Sequence, residues 1–338
     1  MDKTAETRPE FAIRYPNLAS AGLGASIVSV TDDFFAEAPR MLADDEAVFY
    51  PDRYDDNGKW MDGWESRRKR VLGHDHAVVA LAAPTKIRGF DVDTSHFTGN
   101  YPPACSIEAC KLPSGAAPDE NTEWQTIVPI SPLGPSAHHY IAHEGDGVWT
   151  HLRLHIYPDG GVARLRVYGT AQPSAFGADD ELDLASLING ARIVSYSDAH
   201  YGNYHRMLTP TKSISMGDGW ETHRRREPGN EWIIIALATA GRVERVVVDT
   251  AFYKGNCPVS CTIDAACLPD ELAAGPDADR LLVTSSMYWK PLLADQKLTP
   301  DHEHTFTDIL HNDAVTHLRI NIHPDGGVAR FKAFGRKA

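Results

Sequence analysis

Alternation with a period of two runs through much of the 338-residue chain. In HLRLHIY (151–157), Leu152, Leu154 and Ile156 fall on one side and His151, Arg153 and His155 on the other. That is the spacing of a half-buried β-strand. Pro158-Asp159-Gly160-Gly161 follows, and beyond this strong turn signal Ala163, Leu165 and Val167 alternate with Arg164 and Arg166. HAVVALAAP (76–84), IRGFDVDTSHF (87–97) and ACSIEAC (104–110) also read as strands bounded by turn residues. Helical periodicity is confined to about one turn over 34–42. Many short strands with Gly and Pro punctuation predict an all-β fold built as a sandwich or jelly roll.

The same pattern is written twice. THLRLHIYPDGGVARLRVYG (150–169) and THLRINIHPDGGVARFKAFG (316–335) share 13 identities at an offset of 166. NLASAGLGASIVSVTDDFFAEAPRML (17–42) aligns with 183–208 at that offset. DGWESRRKR (62–70) aligns with DGWETHRRR (218–226), and VDTSHFTGNYPPACSI (92–107) with VDTAFYKGNCPVSCTI (248–263), both at offset 156. The second copy thus lacks ten residues around FYPDRYDDNGKWM (49–61) and regains ten between 264 and 316, where loops are expected. TAQPSAFGADDE (170–181) links the copies. Two tandem domains are expected, 1–172 and 173–338, too long a period for a solenoid.

Composition narrows the class. With 42% hydrophobic and 23% charged residues the chain is globular. A net charge of −13 disfavours a nucleic-acid surface, so no nucleic-acid partner is expected. The N-terminal twenty residues show no apolar core of a signal peptide, and the apolar runs 77–83 and 232–240 are too short to cross a bilayer. Five cysteines without a CxxC pair suit a reducing compartment. A cytoplasmic protein without a membrane partner is expected; homo-oligomerisation stays open.

Several polar positions return in both copies. His151, Arg153 and Arg164 reappear as His317, Arg319 and Arg330, although a wet strand face is the commoner explanation for such residues. Two changes set the copies apart: His155 becomes Asn321, and Arg67 becomes His223. In DGWE, Trp64 or Trp220 offers an aromatic wall and Glu65 or Glu221 a carboxylate, while Arg68 adds a guanidinium suited to a carboxylate ligand. A core-filling Trp and a locally paired Glu explain the motif equally well. Asp93 with Asn100, and Asp249 with Asn256, suit an amide- or urea-like ligand, or merely close turns. The His clusters at 73–77, 137–143 and 301–306 lack a strong zinc spacing, and Asp32-Asp33 is a weak cation signal. No metal or cofactor is expected.

DGWESRRKR, IRGFDVDTSHFTGNYPPACSIEA and WTHLRLHIYPDGGVARLRVYG, with their second copies, resemble the signature segments of the allantoicase family over nearly the whole chain. The resemblance implies two similar jelly-roll domains of the galactose-binding type. It also implies hydrolysis of allantoate to (S)-ureidoglycolate and urea in purine (allantoin) breakdown. Allantoate is a carboxylate whose α-carbon carries two ureido groups. Under that implication Glu65, His151, Glu221 and His317 are the proton-transfer candidates. Trp64, Arg68, Asp93, Asn100, Arg153, Arg164, Asp249, Asn256, Arg319 and Arg330 are the substrate-binding candidates. The competing reading is a tandem carbohydrate-binding jelly-roll protein without catalysis, with Trp64 and Trp220 as sugar platforms.

Overall fold

The computed structural model describes residues 8–173, 176, 177, 179–269 and 278–338. They divide into two compact units, with the division between Gln172 and Pro173. The strand Asp75–Asp93 organises the first unit. At 19 residues it is about three times the usual strand length, and it serves two sheets. Its first part pairs with Ser26–Val30 on one side and Val148–Tyr157 on the other, and that sheet continues through Ala104–Cys110 and Gln125–Pro132. The register with Val148–Tyr157 breaks between Ala80 and Thr85, around Pro84. Its second part pairs with Arg164–Ala171 and Tyr140–Ala142. The apolar sides of both parts close one core, where Val79, Phe90, Val92, Leu154 and Val167 are fully buried. Each unit is therefore a β-sandwich of the jelly-roll kind.

In the second unit Glu231–Asp249 plays the same part. Residues 231–236 pair with Arg192–Tyr196 and Val315–His323, and residues 241–249 with Arg330–Lys337 and Glu303–Phe306. The turn expected over 34–42 is a 3-10 helix at Ala38–Leu42, repeated at Tyr204–Leu208. The two length differences are not plain loops. Around 49–61 the first unit forms a small hairpin, Tyr54–Asp55 with Gly58–Lys59. Within 264–316 the second unit forms the helix Ala278–Ser285 and a 3-10 turn, Ser286–Tyr288. Residues 270–277 of that stretch, and 174, 175 and 178 of the link, lie outside the described residues.

The structure shows why the hairpin phrase carries its polar residues. Arg164, expected at a substrate, is only 2% exposed. Its guanidinium donates to the Asp62 carboxylate (2.7 Å) and to the carbonyls of Asp62, Asp45 and Ala163. Arg330 repeats this with Asp218 (2.8 Å) and the carbonyls of Thr211, Lys212, Asp218 and Ala329. The first letter of DGWE is thus the partner of the Arg in GGVAR. Trp64 pairs with Val162 and Glu65 with Gly161 in a two-residue ladder, mirrored by Trp220 with Val328 and Glu221 with Gly327. A Cβ on Gly63 would lie 2.5 Å from the Val162 carbonyl oxygen, so the ladder requires glycine there. Gly160 adopts φ +137° and packs on the Asn100 carbonyl, and Gly326 adopts φ +133° on that of Asn256. Asp159 accepts from the Lys69 amide and Asp325 from the Arg225 amide.

The histidine that both copies keep is buried as well. His151 and His317 are 8% and 4% exposed, and each Nδ1 is 2.9 Å from the hydroxyl of the preceding Thr150 or Thr316. That hydroxyl in turn accepts from the amide of Leu112 or Leu268. Burial depresses His317 from the ordinary 6.5 to about 4.

Removing Arg164 leaves Asp62 without its cation partner. Arg164→Ala is expected to lower stability by about 3–5 kcal/mol, read from urea unfolding followed by Trp fluorescence. His317 adds a pH term of definite sign. Its folded value lies below its unfolded one, so folding favours the neutral ring. The stabilisation is complete above pH 6.5 and is lost as pH falls towards 4, by up to about 3 kcal/mol. Unfolding measured across that window should be steeper in the parent than in His317→Gln.

Candidate functional site

Where the DGWE segment crosses the hairpin, each unit sets a carboxylate against an amide. Asn100 Nδ2 donates to Glu65 Oε1 at 2.7 Å. The main-chain carbonyl of Asn100 accepts from Gly161, the ladder partner of Glu65, so one hairpin fixes both members. The second unit repeats the arrangement: Asn256 Nδ2 donates to Glu221 Oε1, and the Asn256 carbonyl accepts from Gly327. Burial pushes Glu65 above its ordinary 4.5, partly offset by the bond from Asn100. Its Oε2 has no hydrogen bond among the described residues.

A second carboxylate sits beside the pair. The Trp64 indole donates to the Asp32 carbonyl at 2.8 Å. The Asp32 side chain accepts from the Arg67 amide (2.8 Å) and Arg67 Nε (2.6 Å). Burial works to raise Asp32, but the bonds from Arg67 win and it lies below its ordinary 3.8. The cation at Asp32 is therefore the protein's own. The Arg67 guanidinium lies 5.2 Å from the Phe34 ring. In the second unit Trp220 binds the Asp198 carbonyl at 2.8 Å, and Asp198 Oδ2 accepts from both the amide and Nδ1 of His223, each at 2.8 Å. His200 takes the place of Phe34, with its ring 5.5 Å from that of His223.

A third constellation covers the solvent side of the first unit's larger sheet. Arg153 Nε (2.8 Å) and NH2 (2.6 Å) both reach Glu108, and the guanidinium lies 4.5 Å from the Trp124 ring. His155 Nε2 is 2.8 Å from the same Glu108 oxygen, and its Nδ1 is 2.9 Å from His74 Nε2. Burial lowers His155, opposed by Glu108; burial and the nearby His155 lower His76. The second unit keeps an arginine and a carboxylate but sets an amide and hydroxyls between them. Arg319 donates to Asn321 (3.0 Å) and Ser286 (2.8 Å), and Asn321 donates to Asp264 (2.9 Å) and Thr262.

The structure brings together Glu65 with Asn100 and Glu221 with Asn256. Arg68, and Arg224 at the matching position, are exposed with no ion pair among the described residues. Other expected contacts are placed elsewhere. Trp64 and Trp220 have no exposed surface and provide neither an aromatic wall nor a sugar platform. Asp93 and Asp249 are buried turn-closers, bonding the amides of Ser95 (2.7 Å) and Ala251 (2.8 Å). Arg164 and Arg330 are committed to loop carbonyls, and His151 and His317 to their threonines. Arg153 and Arg319 are held on the sheet face. The His139 and His304 rings pin loops by accepting from the amides of Gly134 and Thr299. Glu108 was not singled out in the sequence, and His74 and His76 were noted only as a histidine cluster without a strong zinc spacing. The signal was the parity of ACSIEAC, which turns its one charged residue outward opposite Arg153.

A family model described as the allantoicase repeat matches residues 16–172 and again 182–338. A protein of Rhizobium meliloti named probable allantoicase is 54% identical over 341 residues, covering 100% of this chain and 98% of its own. Probable allantoicase 1 of Burkholderia mallei is 50% identical, with 97% of this chain and 96% of its own covered. The crystal structure of allantoicase from Saccharomyces cerevisiae superposes with a TM-score of 0.77 at 32% identity, covering 94% of this chain and 92% of that one. The chain belongs to the allantoicase family, with one allantoicase repeat in each of its two units.

Proposed function

We propose that this protein is an allantoicase, a hydrolase of C–N bonds in linear amidines that converts allantoate and water to (S)-ureidoglycolate and urea. Proton transfer is assigned to the Glu–Asn pairs at the two rims. The observation that carries the assignment is the repetition of one geometry, Glu65 with Asn100 and Glu221 with Asn256, each backed by the same hairpin. It is chemistry that the fold does not need, unlike the buried Arg–Asp ties.

Hydrolysis breaks the bond from the α-carbon to one ureido nitrogen and forms a bond from that carbon to the water oxygen. One water proton ends on the departing urea nitrogen. A single carboxylate serves both transfers, taking the proton from water and handing it to the leaving nitrogen. The raised value of Glu65 suits this exchange, because a less acidic carboxyl is both a better base and a readier donor near neutral pH. Asn100 holds one Glu65 oxygen, leaving its own amide carbonyl to accept from a ureido N–H. Arg68, which pairs with no carboxylate among the described residues, is assigned to the substrate carboxylate, and Arg224 to the same task in the second unit. The buried indoles argue against the sugar-binding alternative. The same reading makes the protein a cytoplasmic enzyme of purine breakdown.

The purified chain is expected to release urea from allantoate; folded protein that releases none refutes the assignment. Changing Glu65 and Glu221 together to Gln should lower kcat by about 10²-fold or more with an unchanged unfolding curve, whereas either change alone leaves the other unit's pair in place. In the parent, kcat/KM should fall as pH drops through a value above the ordinary 4.5 of glutamate, because only the ionised carboxylate accepts the proton. That acid limb should vanish when Glu65 and Glu221 are both changed to Gln. Changing Arg68 and Arg224 together to Ala should act mainly on KM, raising it about tenfold in steady-state assays of urea release.

A further inference from the structure

Duplicated units invite comparison of positions where one copy has changed its chemistry and kept its geometry. The group around Asp32 and Asp198 is such a place. Both carboxylates hang from the same support, a main-chain carbonyl held by the buried indole of DGWE. Both accept from the backbone amide two residues beyond the motif's Glu, at Arg67 in one unit and His223 in the other. In the first unit the remaining partners are a guanidinium and a phenyl ring, Arg67 and Phe34. In the second unit both have become imidazoles, His223 and His200.

We propose that the second unit binds a divalent transition-metal ion at Asp198, His200 and His223. One ligand atom from each of the three residues lies within 4.8 Å of the others. Two imidazoles and one carboxylate form a donor set that suits Zn²⁺ and its first-row neighbours, and it leaves further positions on the ion for water or ligand. Asp198 is half-buried and both rings are exposed, so the rings can turn the short way needed to share one ion. The amides of His200 and Tyr201 both bond the Glu221 carbonyl, so the ligand-bearing segment is clamped to DGWE.

The electrostatic argument agrees with the geometry. Asp32 is neutralised by Arg67, whereas the second unit offers Asp198 only imidazoles. An ion there restores the positive charge that the first unit carries covalently. The other such set among the described residues, Glu46, Asp93 and His138, already holds a cation, because Asp93 and Glu46 share the Arg166 guanidinium. The site does not depend on the assignment of the reaction, since its readout is binding.

The test is calorimetric titration of the full chain, freed of metal with EDTA and dialysed, with ZnCl₂. One ion per chain is expected. His200→Phe and His223→Arg, which install the first unit's residues on an exposed rim, should each weaken binding by at least about tenfold. His155→Asn should leave it unchanged. Co²⁺ should give visible absorption in the parent and in His155→Asn, and lose it in His223→Arg. Absence of saturable one-to-one binding by the parent overturns the proposal. So does binding that survives both rim substitutions or is lost in His155→Asn.

Discussion

A guanidinium taken out of water is costly unless nearly all of its N–H groups find acceptors and its charge finds a partner. Arg164 and Arg330 meet that demand with one aspartate and a ring of loop carbonyls, and the remainder of each unit is arranged to keep them there. The aspartate comes from DGWE and the arginine from the hairpin, so the ion pair fastens a long excursion of chain to the end of the sandwich. With that fastening in place, the next residue must be Gly to pass under the hairpin, the next is a Trp that fills the space, and the next is the Glu left at the rim. The candidate carboxylate is thus positioned by a run of four residues, each with its own physical reason.

The strands, the two units and the turns were legible in the sequence because burial on one side of a strand writes itself as parity, and duplication as an offset. What the residues do was less legible. Arg164 reads as a solvent-facing strand residue, yet a neighbouring excursion covers that face, and no local pattern announces a cover that arrives from a hundred residues away. The same holds for Trp64, whose burial is decided by Val162 and the Asp32 loop. Glu65 and Asn100 were each visible as candidates, but their partnership across 35 residues depends on the hairpin that holds both. Glu108 was missed because a single glutamate in a strand looks like ordinary surface until its opposite number, Arg153, is known.

Comparison of the units separates what both copies keep from what one of them has changed. The Arg–Asp tie, the indole-to-carbonyl bond, the Asp cap on the hairpin and the Glu–Asn pair occur in both. The direct Arg153–Glu108 pair with His155 and His74 occurs in one, and in the other Arg319 and Asp264 are linked through the Asn321 amide, with Ser286 and Thr262 hydroxyls as further partners. Asn321 stands where His155 does and still donates to the carboxylate on the neighbouring strand, Asp264 at the position of Glu108.

The shared strand has a consequence for how each unit comes apart. Asp75–Asp93 is a central member of one sheet in its first part and a member of the opposite sheet in its second, and Glu231–Asp249 repeats this. Neither sheet can be peeled away while the other stays intact, because opening either one withdraws hydrogen bonds from the same backbone. The sandwich therefore opens as one cooperative block. The most protected amides are expected in that strand on either side of the break at Pro84, while the rim that carries Glu65, Arg68 and Asn100, which the strand does not pair, can open without disturbing it.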